Sequence, residues 1–244
     1  MQKAELIMGM PITITLVNDD TTQEFTNEIF DYFRAVDARY STYKSDSEIS
    51  RINAGLPKSK WSREMKHVLE LCEQTKSETN GYFDIMRSGH RDPSGLVKGW
   101  AIQNAAEKLL RRGVDDFSID AGGDVQVQGR SESGDEWRIG IRNPFDRSQI
   151  VKVIGIRDQG IATSGTYIRG QHIYNPKSQT NPTGVTSLTV IGPNVYEADR
   201  FATAAFAMGE KGISFIEQLK GFEGYMINAE GIATMTSGFE KYVR

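Results

Sequence analysis

Apolar positions repeat with different periods along the chain, and each change of period marks a new element. Ile12, Ile14 and Leu16 alternate with Thr13 and Thr15, the pattern of a strand with one buried face. Across residues 22–39, Phe25, Ile29, Phe33 and Val36 recur at helical spacing, which predicts an amphipathic helix capped by Asp20 or Thr22. A short helix is expected over 47–53. A second long one is expected over 62–79, with Ser62 as its N-cap and Asn80-Gly81 as its stop. Residues 94–112 predict a third, closed by Gly113. Strand-like runs then dominate: 116–120, 125–129, 137–142, 151–156 and 186–191, separated by turn residues. Helices are expected over 197–208, closed by Gly209, and over 212–219. A terminal hairpin, 225–228 with 232–236, turns at Glu230-Gly231. Helices and strands fall in blocks and do not alternate regularly, which predicts an α+β fold over a doubly wound parallel sheet. With no repeat, low-complexity tract or linker, residues 1–244 are expected to form one domain.

Composition narrows the function classes. A formal charge of -3 offers no basic excess for a nucleic-acid partner. Cys72 is the only cysteine, so neither an intrachain disulfide nor a cysteine zinc cluster is expected; it lies among Val68, Leu69 and Leu71 and is predicted to be a small core residue. The first residues alternate like a strand. No signal peptide, lipid anchor or membrane-spanning helix is expected, and the expected location is the cytoplasm.

Five segments carry candidate chemistry, each with a plainer alternative. Asp199 and Thr203 are four apart and share a helix face. A carboxylate with a hydroxyl suits a hard cation such as Mg²⁺, yet the same pair suits an ordinary acidic helix start, which spacing alone favours. Gly122-Gly123, between two strand-like runs, serves either a close ligand approach or a hairpin turn. Gly95, Lys98 and Gly99 open a predicted helix, which fits a phosphate site or a capped helix with one surface lysine. His172, one of three histidines with His67 and His90, follows the run 160–167 in a loop or strand end. It is either a general base or a hydrogen-bonded structural histidine. In the segment 41–50, Ser45 or Ser47 can cap the short helix, and Tyr43 can stack on a flat heterocycle or simply pack.

The order of these segments is more specific than any one of them. Met8-Gly9, Ser41-Thr42-Tyr43 with Ser47-Glu48-Ile49-Ser50, Asn80-Gly81-Tyr82-Phe83-Asp84-Ile85 and Lys98-Gly99-Trp100-Ala101 come first. Ala121-Gly122-Gly123-Asp124, Thr163-Ser164-Gly165, His172-Ile173 with Pro176, and Ala198-Asp199 with Ala202-Thr203 follow. From about residue 8 to about 209 this order resembles the ApbE-type FAD:protein FMN transferases. The resemblance implies a compact T-fold-like α+β domain with a mainly antiparallel sheet and packed helices. It implies an enzyme that uses FAD and Mg²⁺ to attach FMN by a phosphoester to a threonine of an acceptor protein, releasing AMP. The acceptor would be an FMN-binding domain or an Rnf- or Nqr-type subunit, with no membrane insertion by this chain; the oligomeric state is left open. Carried over by position, Met8, Tyr43, Phe83, Asp84 and Ile85 would line the flavin nucleotide, and Asp92 and Lys98 would contact the rest of FAD. Gly95, Asp199, Ala202 and Thr203 would hold the metal. His172 would take the acceptor proton, with Ile173 beside the cofactor.

The chain departs from the family pattern at Met10, at Asp92-Pro93-Ser94-Gly95, and at Gln103, where an acidic residue is usual. Two other functions share these residues: an FAD pyrophosphatase releasing FMN and AMP to water, and a flavin-binding module without activity.

Overall fold

The computed structural model describes residues 1–17, 22–166 and 173–244. Strands β1 (Gln2–Ile7) and β2 (Met10–Leu16) pair antiparallel about the Met8-Gly9 turn. The threonine alternation seen in sequence puts Ile12, Ile14 and Leu16 fully inside. Helices α1 (Thr22–Tyr40), α2 (Glu48–Asn53) and α3 (Arg63–Glu78) follow, and Ser47 and Ser62 cap the latter two through their hydroxyls, as expected. Of the two expected caps of α1, Asp20 lies outside the described residues and Thr22 is the first residue of the helix. A hairpin of β3 (Met86–Arg87) and β4 (His90–Arg91) leads into α4 (Ser94–Arg111).

The later chain supplies β5 (Phe117–Ala121), β6 (Asp124–Gln128), β7 (Trp137–Arg142), β8 (Ile150–Ile156), β9 (Gly160–Gly165) and β10 (Ser187–Gly192). Helices α5 (Val195–Ala207) and α6 (Gly212–Glu217) and strands β11 (Glu223–Ile227) and β12 (Ala233–Met235) complete it. Eight strands form one sheet in the order β1-β2-β5-β6-β9-β10-β11-β12, with every neighbouring pair antiparallel. The result is the expected α+β architecture.

Strand alternation divides the core between the two faces of the sheet. Leu188, Val190 and Met226 pack under α5 and α6, while Val125, Val127, Ile161 and Ile227 pack against the separate β7–β8 ribbon. Because both faces are covered, β10 is buried along its whole length. β1 is an edge strand in which charged and apolar residues alternate, in line with the strand-like pattern of the first residues, whereas the two-residue strands β3 and β4 and strand β9 were not expected. β9 consists mostly of small residues of low strand propensity and is held by pairing with β10 from Gly160↔Gly192 to Gly165↔Ser187. Cys72 is buried, as expected, and burial pushes its thiol up to about 12. Among the described residues no helix is long and apolar enough to cross a membrane.

Phe117 on β5 is fully buried, whereas Leu6 on β1 is 79% exposed. Urea unfolding should show Phe117→Ala losing about 3–5 kcal/mol and Leu6→Ala changing by less than about 0.5 kcal/mol. Equal losses would mean that the core is misplaced.

Candidate functional site

Helices α4 and α5, a hundred residues apart in sequence, touch at backbone distance. A Cβ on Gly99 would lie 2.6 Å from Asp199 Cβ and 2.8 Å from the Val195 carbonyl, so only glycine admits this approach. The contact is hydrogen-bonded at two levels. The Gly99 N–H donates to Asp199 Oδ2 at 2.8 Å. One turn earlier on α4, the Gly95 carbonyl accepts from the Thr203 hydroxyl at 3.2 Å. The i,i+4 pair of α5 thus meets an i,i+4 pair of α4, and three oxygen groups gather between the helices: the Asp199 carboxylate, the Thr203 hydroxyl and the Gly95 carbonyl. Asn194 caps α5 by accepting from the Glu197 N–H at 2.9 Å, and Gln126 Oε1 accepts from Val195 N–H at 2.8 Å, tying the helix start to β6.

A second carboxylate stands beside the first. Gly122 and Gly123 make the two-residue turn between β5 and β6, both with positive φ, and deliver Asp124 as the first residue of β6. Asp124 is 1% exposed and accepts the Thr163 N–H through Oδ1 at 3.0 Å. Lys98 Nζ lies 2.6 Å from Asp124 Oδ2 and 3.8 Å from Asp199 Oδ1. Among the described residues two buried carboxylates therefore share one ammonium, which leaves negative charge in excess. Burial pushes the Asp199 carboxyl up to about 7; Lys98 and the Gly99 N–H oppose the rise, and Asp124 reinforces it. Oxygen donors and surplus negative charge are what a hard divalent cation requires, so the residues fit one.

Phe83 borders this cluster, with its ring edge 3.5 Å from where a Gly95 Cβ would be; Ile85 is buried in the same core. Asp92 accepts from the Ser94 N–H at 3.0 Å at the start of α4 and lines a cleft of about 510 Å³ with Thr42, Asn53, Arg87, His90 and Arg91. Ala202 is fully buried within α5, and Ile173 packs half-buried against the core under that helix. Three expected residues stand apart. Tyr43 is 98% exposed, Asp84 is turned to Lys76 at 2.7 Å, and Met8 sits half-buried in the β1–β2 turn. No hydrogen bond or ion pair links these three to the cluster among the described residues. Gln103 is half-buried on α4, with Oε1 lacking a partner among the described residues. His172 lies outside the described residues. Asp124 is the residue that sequence reasoning passed over. Its signal is the acidic position closing the Ala-Gly-Gly-Asp motif, whose glycines predict a turn or a close ligand approach while the acid itself carries no expectation.

The model of the ApbE family matches residues 8–89 and 87–226. The chain belongs to the ApbE family. A Vibrio cholerae protein named FAD:protein FMN transferase is 32% identical over 130 residues, 49% of this chain and 39% of that protein. One of the same name from Salmonella typhimurium is 23% identical over 290 residues, 92% of this chain and 83% of that protein. Among solved structures, flavin transferase ApbE from Vibrio cholerae superposes with a TM-score of 0.84 at 23% identity, over 99% of this chain and 98% of that one. The ApbE protein of Thermotoga maritima gives 0.87 at 19% identity, over 100% and 99%. The whole fold of this ApbE-family chain is therefore that of the solved ApbE proteins.

The raised Asp199 carboxyl has a thermodynamic consequence. Between the usual carboxylate pKa of about 4 and about 7, the folded chain binds more protons than the unfolded one. This group's contribution to stability therefore falls as pH rises through that window. In chelator, Asp199→Asn should gain stability relative to the parent between about pH 4 and about pH 8 in urea unfolding. A difference that stays constant with pH would contradict the burial of this charge.

Proposed function

We propose that this chain is an FAD:protein FMN transferase that cleaves the FAD pyrophosphate and attaches FMN through a phosphoester to a threonine of an acceptor protein. The observation that carries the reading is the junction of α4 and α5, where the Asp199, Thr203 and Gly95 oxygens converge beside Lys98. Membership of the ApbE family and the names of the relatives support it.

In this reading the acceptor threonine oxygen forms a bond to the FMN phosphorus, the bridging P–O bond to AMP breaks, and AMP leaves. Asp199, Thr203 and the Gly95 carbonyl would hold a Mg²⁺, which would supply charge neutralisation on the phosphate oxygens. Ala202 completes the set only through its backbone. Lys98 reaches the pyrophosphate as a point charge from the first turns of α4. Phe83 and Ile85 give the nucleotide an apolar wall, with Met8 and Ile173 on its borders. Asp92 and the cleft beside it receive the remainder of FAD, while the flavin-lining roles of Tyr43 and Asp84 rest on the family motif alone. His172 accepts the threonine proton, a role that rests on the family motif. The acceptor presents its threonine on an FMN-binding domain or an Rnf- or Nqr-type subunit.

The test is incubation with FAD, Mg²⁺ and such an acceptor, followed by denaturing electrophoresis. Covalent flavin fluorescence on the acceptor, with one AMP per flavin, is expected. Free FMN and AMP without labelled acceptor would instead assign hydrolysis. Asp199→Ala should lower transfer by about 100-fold or more, as loss of a catalytic cation does. His172→Ala should slow transfer by about 10²–10⁴ while FAD still binds. Unchanged rates in the first variant, or lost FAD binding in the second, would remove the assigned role.

A further inference from the structure

Lys98 is shared unequally. Its ammonium lies 2.6 Å from Asp124 and 3.8 Å from Asp199. The inequality has a structural origin. Asp124 opens β6 directly after a tight turn, and its Oδ1 accepts the Thr163 N–H at 3.0 Å, which leaves Oδ2 as the oxygen paired with the Lys98 charge. Thr163 is itself held in β9, where its hydroxyl bonds Thr189 at 2.9 Å. Asp199 is fixed with equal firmness by Gly99. Lys98 is the flexible partner, a point charge on a four-carbon stem. Its resting place decides what remains of the Asp199 site. An ammonium seated on Asp199 would occupy the negative charge that a divalent cation needs and would repel that cation at close range.

We propose that Asp124 is a positioning residue that holds Lys98 to itself and so keeps the Asp199, Thr203 and Gly95 oxygens open to a divalent cation. The proposal rests on the cation reading of Asp199. It gives the second buried carboxylate a task distinct from ligation: Asp124 controls a competitor for the site. It also explains why a lysine can stand next to a cation site at all. Its charge is matched by Asp124 until phosphate oxygens arrive to share it.

The test is a double-mutant cycle read by Mn²⁺ binding in the absence of FAD, with free Mn²⁺ followed by electron paramagnetic resonance. Asp124→Asn keeps the side-chain volume and the oxygen facing Thr163 while removing the charge. It should weaken Mn²⁺ binding by about tenfold or more, and the same substitution in a Lys98→Met background should change it by less than about threefold. The rescue separates a held lysine from a simple loss of negative charge. If Asp124→Asn weakens binding equally in both backgrounds, or in neither, the proposal is overturned. Asp124→Ser, run through the same cycle, covers a folding defect peculiar to the amide, and matched thermal midpoints check each protein. Asp199→Asn in the same titration tests the underlying site. Binding unchanged by that substitution would remove the cation reading and the proposal with it, whereas lost binding with a failed rescue would remove the proposal alone.

Discussion

The approach of α4 to α5 at Gly99 and Asp199 is the constraint on which the site depends. A side chain at position 99 would push the helices apart, so the hydrogen bond from the Gly99 N–H to Asp199 exists only because the residue is glycine. That one contact sets the separation of the helices. The separation in turn lets Thr203 reach the Gly95 carbonyl and places Lys98 between two carboxylates. The sheet beneath supplies the other half of the arrangement. β6 carries Asp124 to the cluster and also fixes the start of α5 through Gln126.

Burying two carboxylates around one ammonium is unfavourable unless the charge is answered. Asp124 is answered by Lys98 and a backbone N–H, and Asp199 by the more distant charge of the same Lys98 and the Gly99 N–H. The raised pKa of Asp199 expresses the remaining deficit. A core free to choose for stability alone would not keep this arrangement, and it is at functional sites that such costs are retained. By contrast, buried Arg200 is fully matched by Glu197 and Glu78 and serves to lock α5 against α3. The difference between these two buried charge groups marks the Asp199 cluster as the candidate site.

Much of the fold was legible in the chain. The long helices, the Ser47 and Ser62 caps and the strand alternation of β2 follow from local pattern, because each is determined within a few residues. β9 was not, because its small residues gain strand geometry only from pairing with β6 and β10. At the site, spacing alone could not raise Asp199 and Thr203 above an ordinary helix start. What distinguishes them is contact with Gly95 and Gly99, about a hundred positions away. The Lys98–Asp124 pair is long-range for the same reason, so the motif gave the turn and not the ion pair. The resemblance ordered the right segments, and the structure shows which of them converge.

In the proposed transferase the Asp199 cluster holds a divalent cation against the FAD pyrophosphate. Anomalous diffraction at the manganese edge, from crystals grown with FAD and Mn²⁺, tests it most directly. One peak is expected within ligand distance, about 2.0–2.6 Å, of Asp199 and Thr203 oxygens and of the Gly95 carbonyl, with a phosphate oxygen of FAD completing its shell. A peak elsewhere, or FAD bound with its pyrophosphate away from Lys98, would rule out a cation at this cluster acting on FAD.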